Sequence, residues 1–183
     1  MSTRENIGRL LVAGAGALGL TTAFAQPGPN LGVEISAADA AAWDINIQPD
    51  GAGLPPGAGK AADGAKIYAT KCIACHGADG AGQPNDRLVG GQGTLTQLAQ
   101  VRTVGSYWPY ATTVFDYIRR AMPFQAPESL TNDEVYALTA YLLAKNGIIR
   151  ERDEMNARTL PKVRMPNRDG FILAYPQRAD RSP

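Results

Sequence analysis

The chain has 183 residues, of which 44% are hydrophobic and 19% charged, with 20 Gly, 13 Pro, two Cys, one His and a formal net charge of +1. The length allows one domain of ordinary size with extensions, and the apolar content excludes global disorder. A near-zero charge excludes a general nucleic-acid binder, a single His excludes any site with two His ligands, and two Cys cannot build a disulfide framework.

Residues 1–25 read as a secretory signal. Arg4 and Arg9 form a basic start, Leu10 to Leu20 is apolar and uncharged, and Ala23-Phe24-Ala25 is a small-x-small cleavage site. The apolar run is short against the roughly 20 residues that span a bilayer. No later run is long enough either, so the protein is expected to be exported and not membrane-embedded. Export places it in an oxidising compartment, expected to be a bacterial periplasm. Losing Arg4, Glu5 and Arg9 leaves equal numbers of acidic and basic residues.

Residues 26–60 form an N-terminal arm rich in Gly, Pro and Ala. Gln48 to Gly57 is turn chemistry, and Trp43-Asp44-Ile45-Asn46-Ile47 suits a short strand or an extended segment. Residues 61–147 carry the helical signals. A first helix is predicted from about Ala61 to Ala74, with Gly64, Ile67, Tyr68 and Lys71 at helical spacing. A second is predicted from about Thr113 to Arg120, with Val114, Phe115 and Ile118 apolar. The third opens with the capping box Thr131-Asn132-Asp133-Glu134, carries the stripe Val135, Leu138 and Leu142, and stops at Asn146-Gly147. Residues 148–183 are basic and interrupted by Pro. This C-terminal arm either lacks fixed structure or wraps the core or a partner through anchors such as Phe171 and Ile172. The expected fold is mostly α, about three to five helices with extended arms. Helices this short give a thin core, which calls for a large apolar group at its centre.

Cys72-Ile73-Ala74-Cys75-His76 supplies the reason. C-x-x-C-H is the pattern of covalent c-type haem attachment: two thiols one turn apart add to one edge of the macrocycle, and the next residue offers an imidazole to the iron. A thioredoxin-like redox pair would need a βαβ surround, and a structural zinc a fourth soft ligand. A disulfide across one helical turn is the remaining alternative. The sixth iron ligand must be Met, Lys, water or none. Met122 precedes Pro123, which forces it out of the helical region and into a loop between helices, the best position for a distal sulfur. Met165-Pro166 has the same local form further along. The Pro84 carbonyl is a candidate acceptor for the His76 ring N–H, and Arg102, Tyr107, Trp108 and Tyr110 are candidates to contact the haem carboxylates.

Over about residues 61–147 these features resemble a class I cytochrome c: helix, C-x-x-C-H, Pro84-Asn85 with Leu88-Val89-Gly90, Met122-Pro123, then a helix with Tyr141-Leu142. A narrower resemblance runs through Trp43-Asp44-Ile45, Pro49-Asp50-Gly51, Gly105 to Thr113, Phe115 to Pro123 and Met165 to Phe171. These segments are similar to the cytochrome c subunit (SoxD-like) of sulfite and sulfane dehydrogenases in the periplasmic Sox sulfur-oxidation system. The resemblance implies one covalent haem c, with Cys72 and Cys75 as attachment sites, His76 as proximal ligand and Met122 as distal ligand. It also implies a molybdenum-cofactor dehydrogenase subunit (SoxC-like) as partner and a downstream cytochrome or oxidase as acceptor. On this reading the chain transfers electrons and does not catalyse alone. Longer members of the family carry a second haem domain, whereas this chain has a single C-x-x-C-H. The alternatives are a haem enzyme with an open iron site and a generic soluble carrier.

Overall fold

The structure is a computed structural model that describes residues 31–172 and 174–175. The expected signal segment and its cleavage site lie outside the described residues. The chain divides at Ala40 into a short N-terminal unit and a second unit, Ala41–Pro183. Helix α1 (Ala37–Trp43) starts at Ser36, whose hydroxyl accepts the Asp39 N–H at 3.1 Å, and none of its residues is buried. Trp43 therefore ends a helix, and residues 44–48 after it join no strand.

In the second unit, strand β1 (Ala58–Lys60) leads directly into α2 (Ala61–Lys71). The first expected helix ends three residues early. Cys72 leaves helical geometry (φ −123°, ψ −34°), and a separate turn, α3 (Ile73–His76), follows it. The Cys72 carbonyl then accepts from both Cys75 N–H at 3.1 Å and His76 N–H at 3.0 Å. The two cysteines are thus placed by a tight turn of their own and not by one continuous helix.

Helix α4 (Ala111–Ala121) buries Val114, Phe115 and Ile118 on one face. It stops because Met122 stands before Pro123 and is extended (φ −122°, ψ 144°). Helix α5 (Asn132–Lys145) has the full capping box. The Thr131 hydroxyl accepts the Glu134 N–H at 3.3 Å, and the Glu134 carboxylate accepts the Thr131 N–H at 2.8 Å. That backbone bond first, and then Lys71 at 3.0 Å, hold the Glu134 carboxyl below the usual glutamate range. The same Lys71–Glu134 pair ties the end of α2 to the start of α5.

Helix α5 is the centre of the unit, packed by α2 on one side and α4 on the other. Gly64 makes the α2 crossing close: a Cβ there would stand 2.0 Å from the Ala137 carbonyl oxygen. One turn later the rings of Tyr68 and Tyr141 meet at 5.0 Å, and on the α4 side Phe115 meets Tyr136 at 4.4 Å. Pairs of this kind add about 0.5–1.5 kcal/mol each beyond the area they bury.

The C-terminal segment is part of this core. Strand β2 (Glu154–Asn156) pairs antiparallel with β1, Gly59 opposite Met155, and lays Met155 (4% exposed) inside. Leu160 (0%), at the start of a single 3-10 turn, and Met165 (1%) follow it in. The N-terminal side is held from α4: Arg120 pairs with Asp116 at 2.8 Å and donates to the Ile45 carbonyl at 2.8 Å.

A buried leucine truncated to alanine loses about 2–5 kcal/mol. Leu160→Ala should therefore lower the stability of the haem-loaded protein by that amount in chemical denaturation. A loss below about 1 kcal/mol would show that this segment is a surface strap and not core.

Candidate functional site

One cavity of about 260 Å³ opens between these elements. Cys72, Cys75 and His76 stand on its wall, and so does Met122 from the end of α4. Leu138 and Leu142, read from the sequence as a core stripe of α5, line it too, and so does Ile118 of α4. The wall is therefore largely apolar, with a soft-ligand set contributed by two separate parts of the chain.

The loop after His76 folds back beneath it. Gly77 adopts φ +73°, ψ 173°, a region open essentially to glycine alone. The Gly82 N–H returns to the His76 carbonyl at 2.8 Å, and the Asn85 N–H to the Cys75 carbonyl at 2.8 Å. This brings the Asp86 carbonyl to within 2.8 Å of His76 Nδ1. A carbonyl can only accept, so Nδ1 carries the proton and Nε2 keeps its lone pair for a metal. The acceptor is thus Asp86 and not Pro84. Gln83 N–H closes on the Asn85 carbonyl at 2.8 Å in a tight turn centred on Pro84, and the chain reaches the imidazole only two residues later. Pro84 does not line the cavity.

Both cysteines are half-buried, and neither forms a disulfide. Burial pushes the Cys72 thiol up to about 11.

Trp108 lines the cavity, edge-on to Tyr117 at 5.6 Å. Arg102 lines it as well, joined by Lys71, read from the sequence only as a helix position, and by Arg87. Tyr107 and Tyr110 have other partners. Tyr107 packs edge-on to Phe171 at 5.3 Å, and the Arg168 guanidinium lies 4.4 Å over the Tyr110 ring. Met155 and Met165 are core residues away from the cavity wall, which leaves Met122 as the methionine on that wall among the described residues.

The cytochrome c family model matches residues 61–145. The chain also superposes on a chain from the crystal structure of the sulfane dehydrogenase SoxCD of Paracoccus pantotrophus. The two are 40% identical, the match covers 84% of this chain and 74% of that one, and the TM-score is 0.74. This protein belongs to the cytochrome c family, and its cofactor is covalently bound haem c. A thiosulfate dehydrogenase (TsdBA) of Marichromatium purpuratum also matches, at 26% identity over 47% of this chain and 18% of that one. Its TM-score of 0.36 lends no support to the fold. No curated protein matches.

The cavity fits the cofactor by the chemistry of its donors: two thiols, an imidazole with Nε2 free, a thioether, apolar walls, and three cations that suit haem carboxylates. Gly77→Ala should weaken it. Besides the conformation, a Cβ would meet the Gly82 carbonyl oxygen at 2.5 Å. Thermal melts of the loaded protein should show a loss of about 1–3 kcal/mol. An unchanged melting temperature would mean the loop does not hold this geometry.

Proposed function

We propose that this protein is the electron-transfer subunit of a periplasmic sulfite or sulfane dehydrogenase, working beside a molybdenum-cofactor subunit and passing electrons to the respiratory chain. The observation that carries the proposal is the meeting of Cys72, Cys75, His76 and Met122 on one apolar cavity wall. Haem c supplies one-electron redox chemistry.

The chain's residues do the rest. The Cys72 and Cys75 thiols anchor the group through thioether bonds. His76 presents Nε2 to the iron while Asp86 holds the proton on Nδ1. Met122 would offer its thioether as the second protein ligand. With His76 and Met122 both as ligands the iron would have no position left for a substrate, and a thioether ligand would favour the reduced state, which suits an acceptor of electrons from a dehydrogenase. Leu138, Leu142 and Ile118 would shield the group from water, which would raise the potential further. The likeness to the SoxCD chain over most of both lengths supports the partner and the sulfur substrate class. The signal-like segment at 1–25 supports the periplasm.

In the ferric protein, Met122→Ala should abolish the sulfur-to-iron charge-transfer band and open the reduced iron to carbon monoxide. A band that survives the substitution would remove Met122 from the iron. Purified from the native periplasm, the protein should travel with a molybdenum subunit, and sulfite or a sulfane-sulfur donor should reduce its haem only in that subunit's presence. Reduction without the subunit would favour a haem enzyme acting alone.

A further inference from the structure

Two buried tyrosines reach from the helix crossing to the segment that follows His76. Tyr68 of α2 lies on the cavity wall, and its hydroxyl donates to the Gly77 carbonyl at 2.9 Å. Tyr141 of α5 stacks on it, ring centroids 5.0 Å apart, and its hydroxyl donates to the Asp79 carboxylate at 3.3 Å. Lys145 meets the same carboxylate oxygen at 2.6 Å. The segment held in this way turns through left-handed backbone: Gly77, Asp79 and Gly80 have φ of +73°, +54° and +74°.

A phenylalanine ring would fill the place of either tyrosine. A buried hydroxyl is unfavourable unless it is bonded, so the hydroxyls add only the bonds they make. Both bonds end within three residues of the proximal imidazole. From the other side, the Asp86 carbonyl holds the ring at Nδ1.

We propose that Tyr68 and Tyr141 form a clasp that positions His76, with Tyr68 setting the direction of the imidazole toward the iron through the Gly77 carbonyl. The inference rests on His76 being the proximal ligand. Tyr68 is thus a positioning residue: it acts through the backbone next to the ligand and sharpens both the reduction potential and the orientation of the ring. Asp79 keeps Lys145 as a partner when Tyr141 loses its hydroxyl, so Tyr141 is the weaker half.

The test compares Tyr68→Phe, Tyr141→Phe and Tyr136→Phe in the haem-loaded protein. Tyr136 is the control, because its hydroxyl donates to the Pro55 carbonyl at 2.9 Å, an equivalent buried bond away from the cavity. The readouts are the reduction potential and the paramagnetically shifted His76 ring protons of the ferric form. Tyr68→Phe should shift the potential and displace or broaden those resonances. Tyr141→Phe should do so less, and Tyr136→Phe should leave both at their wild-type values. Wild-type resonances and potential in Tyr68→Phe would overturn the clasp alone, as would an equal shift in Tyr136→Phe. A wild-type protein with no shifted imidazole protons would instead defeat the assignment of His76, and the clasp with it.

Discussion

The close crossing of α2 on α5 determines what else the chain can build. With no side chain at Gly64, the two backbones approach until a Cβ would lie 2.0 Å from the Ala137 carbonyl oxygen. Gly59 extends the same contact, since a Cβ there would stand 2.2 Å from the Ala137 nitrogen. At this spacing the end of α2 runs alongside α5, so the Cys72 turn is delivered opposite Leu138 and Leu142. Any larger residue at Gly64 would push α2 outward and widen the cavity that the donors share. A packing constraint thus sets the geometry of a chemical site.

The loops complete the site with local hydrogen bonds. Asn146, just past α5, takes the Gly90 N–H at 2.9 Å and donates to the Leu88 carbonyl at 3.2 Å, pinning one side of the loop below His76. The Thr103 hydroxyl reaches the Gly90 carbonyl from the next loop. Asn167 donates to the Tyr107 carbonyl at 2.8 Å and so fastens the C-terminal segment beside Trp108. Buried polar side chains of this kind make loops rigid because each unmade bond would be costly. A long, Gly-rich and Pro-rich chain can then hold this set of donor side chains with few helices.

Features that speak through adjacent residues were legible in the sequence. The C-x-x-C-H turn, the Thr131–Glu134 capping box and the Met122-Pro123 end of α4 each rest on chemistry within four or five positions. The break at Cys72 was not legible, because alanine-rich α2 continues naturally into Ile73 and only tertiary demand stops it. The β1–β2 pairing was not legible either, since strands of three residues show no alternation. Met155, Leu160 and Met165 lie in a basic, Pro-broken segment without periodicity, and only the fold makes them core. The acceptor for His76 is a backbone carbonyl, a group every residue carries, so no residue type could single out Asp86 over Pro84.

On the proposed function Cys72 and Cys75 carry one haem between them, which mass spectrometry of the peptide spanning residues 72–76, from protein purified out of its native compartment, can decide. The expected result is a single peptide heavier by one haem, with neither cysteine open to alkylation. A peptide of unmodified mass, with both thiols alkylated at once or only after reduction of a disulfide, would contradict it.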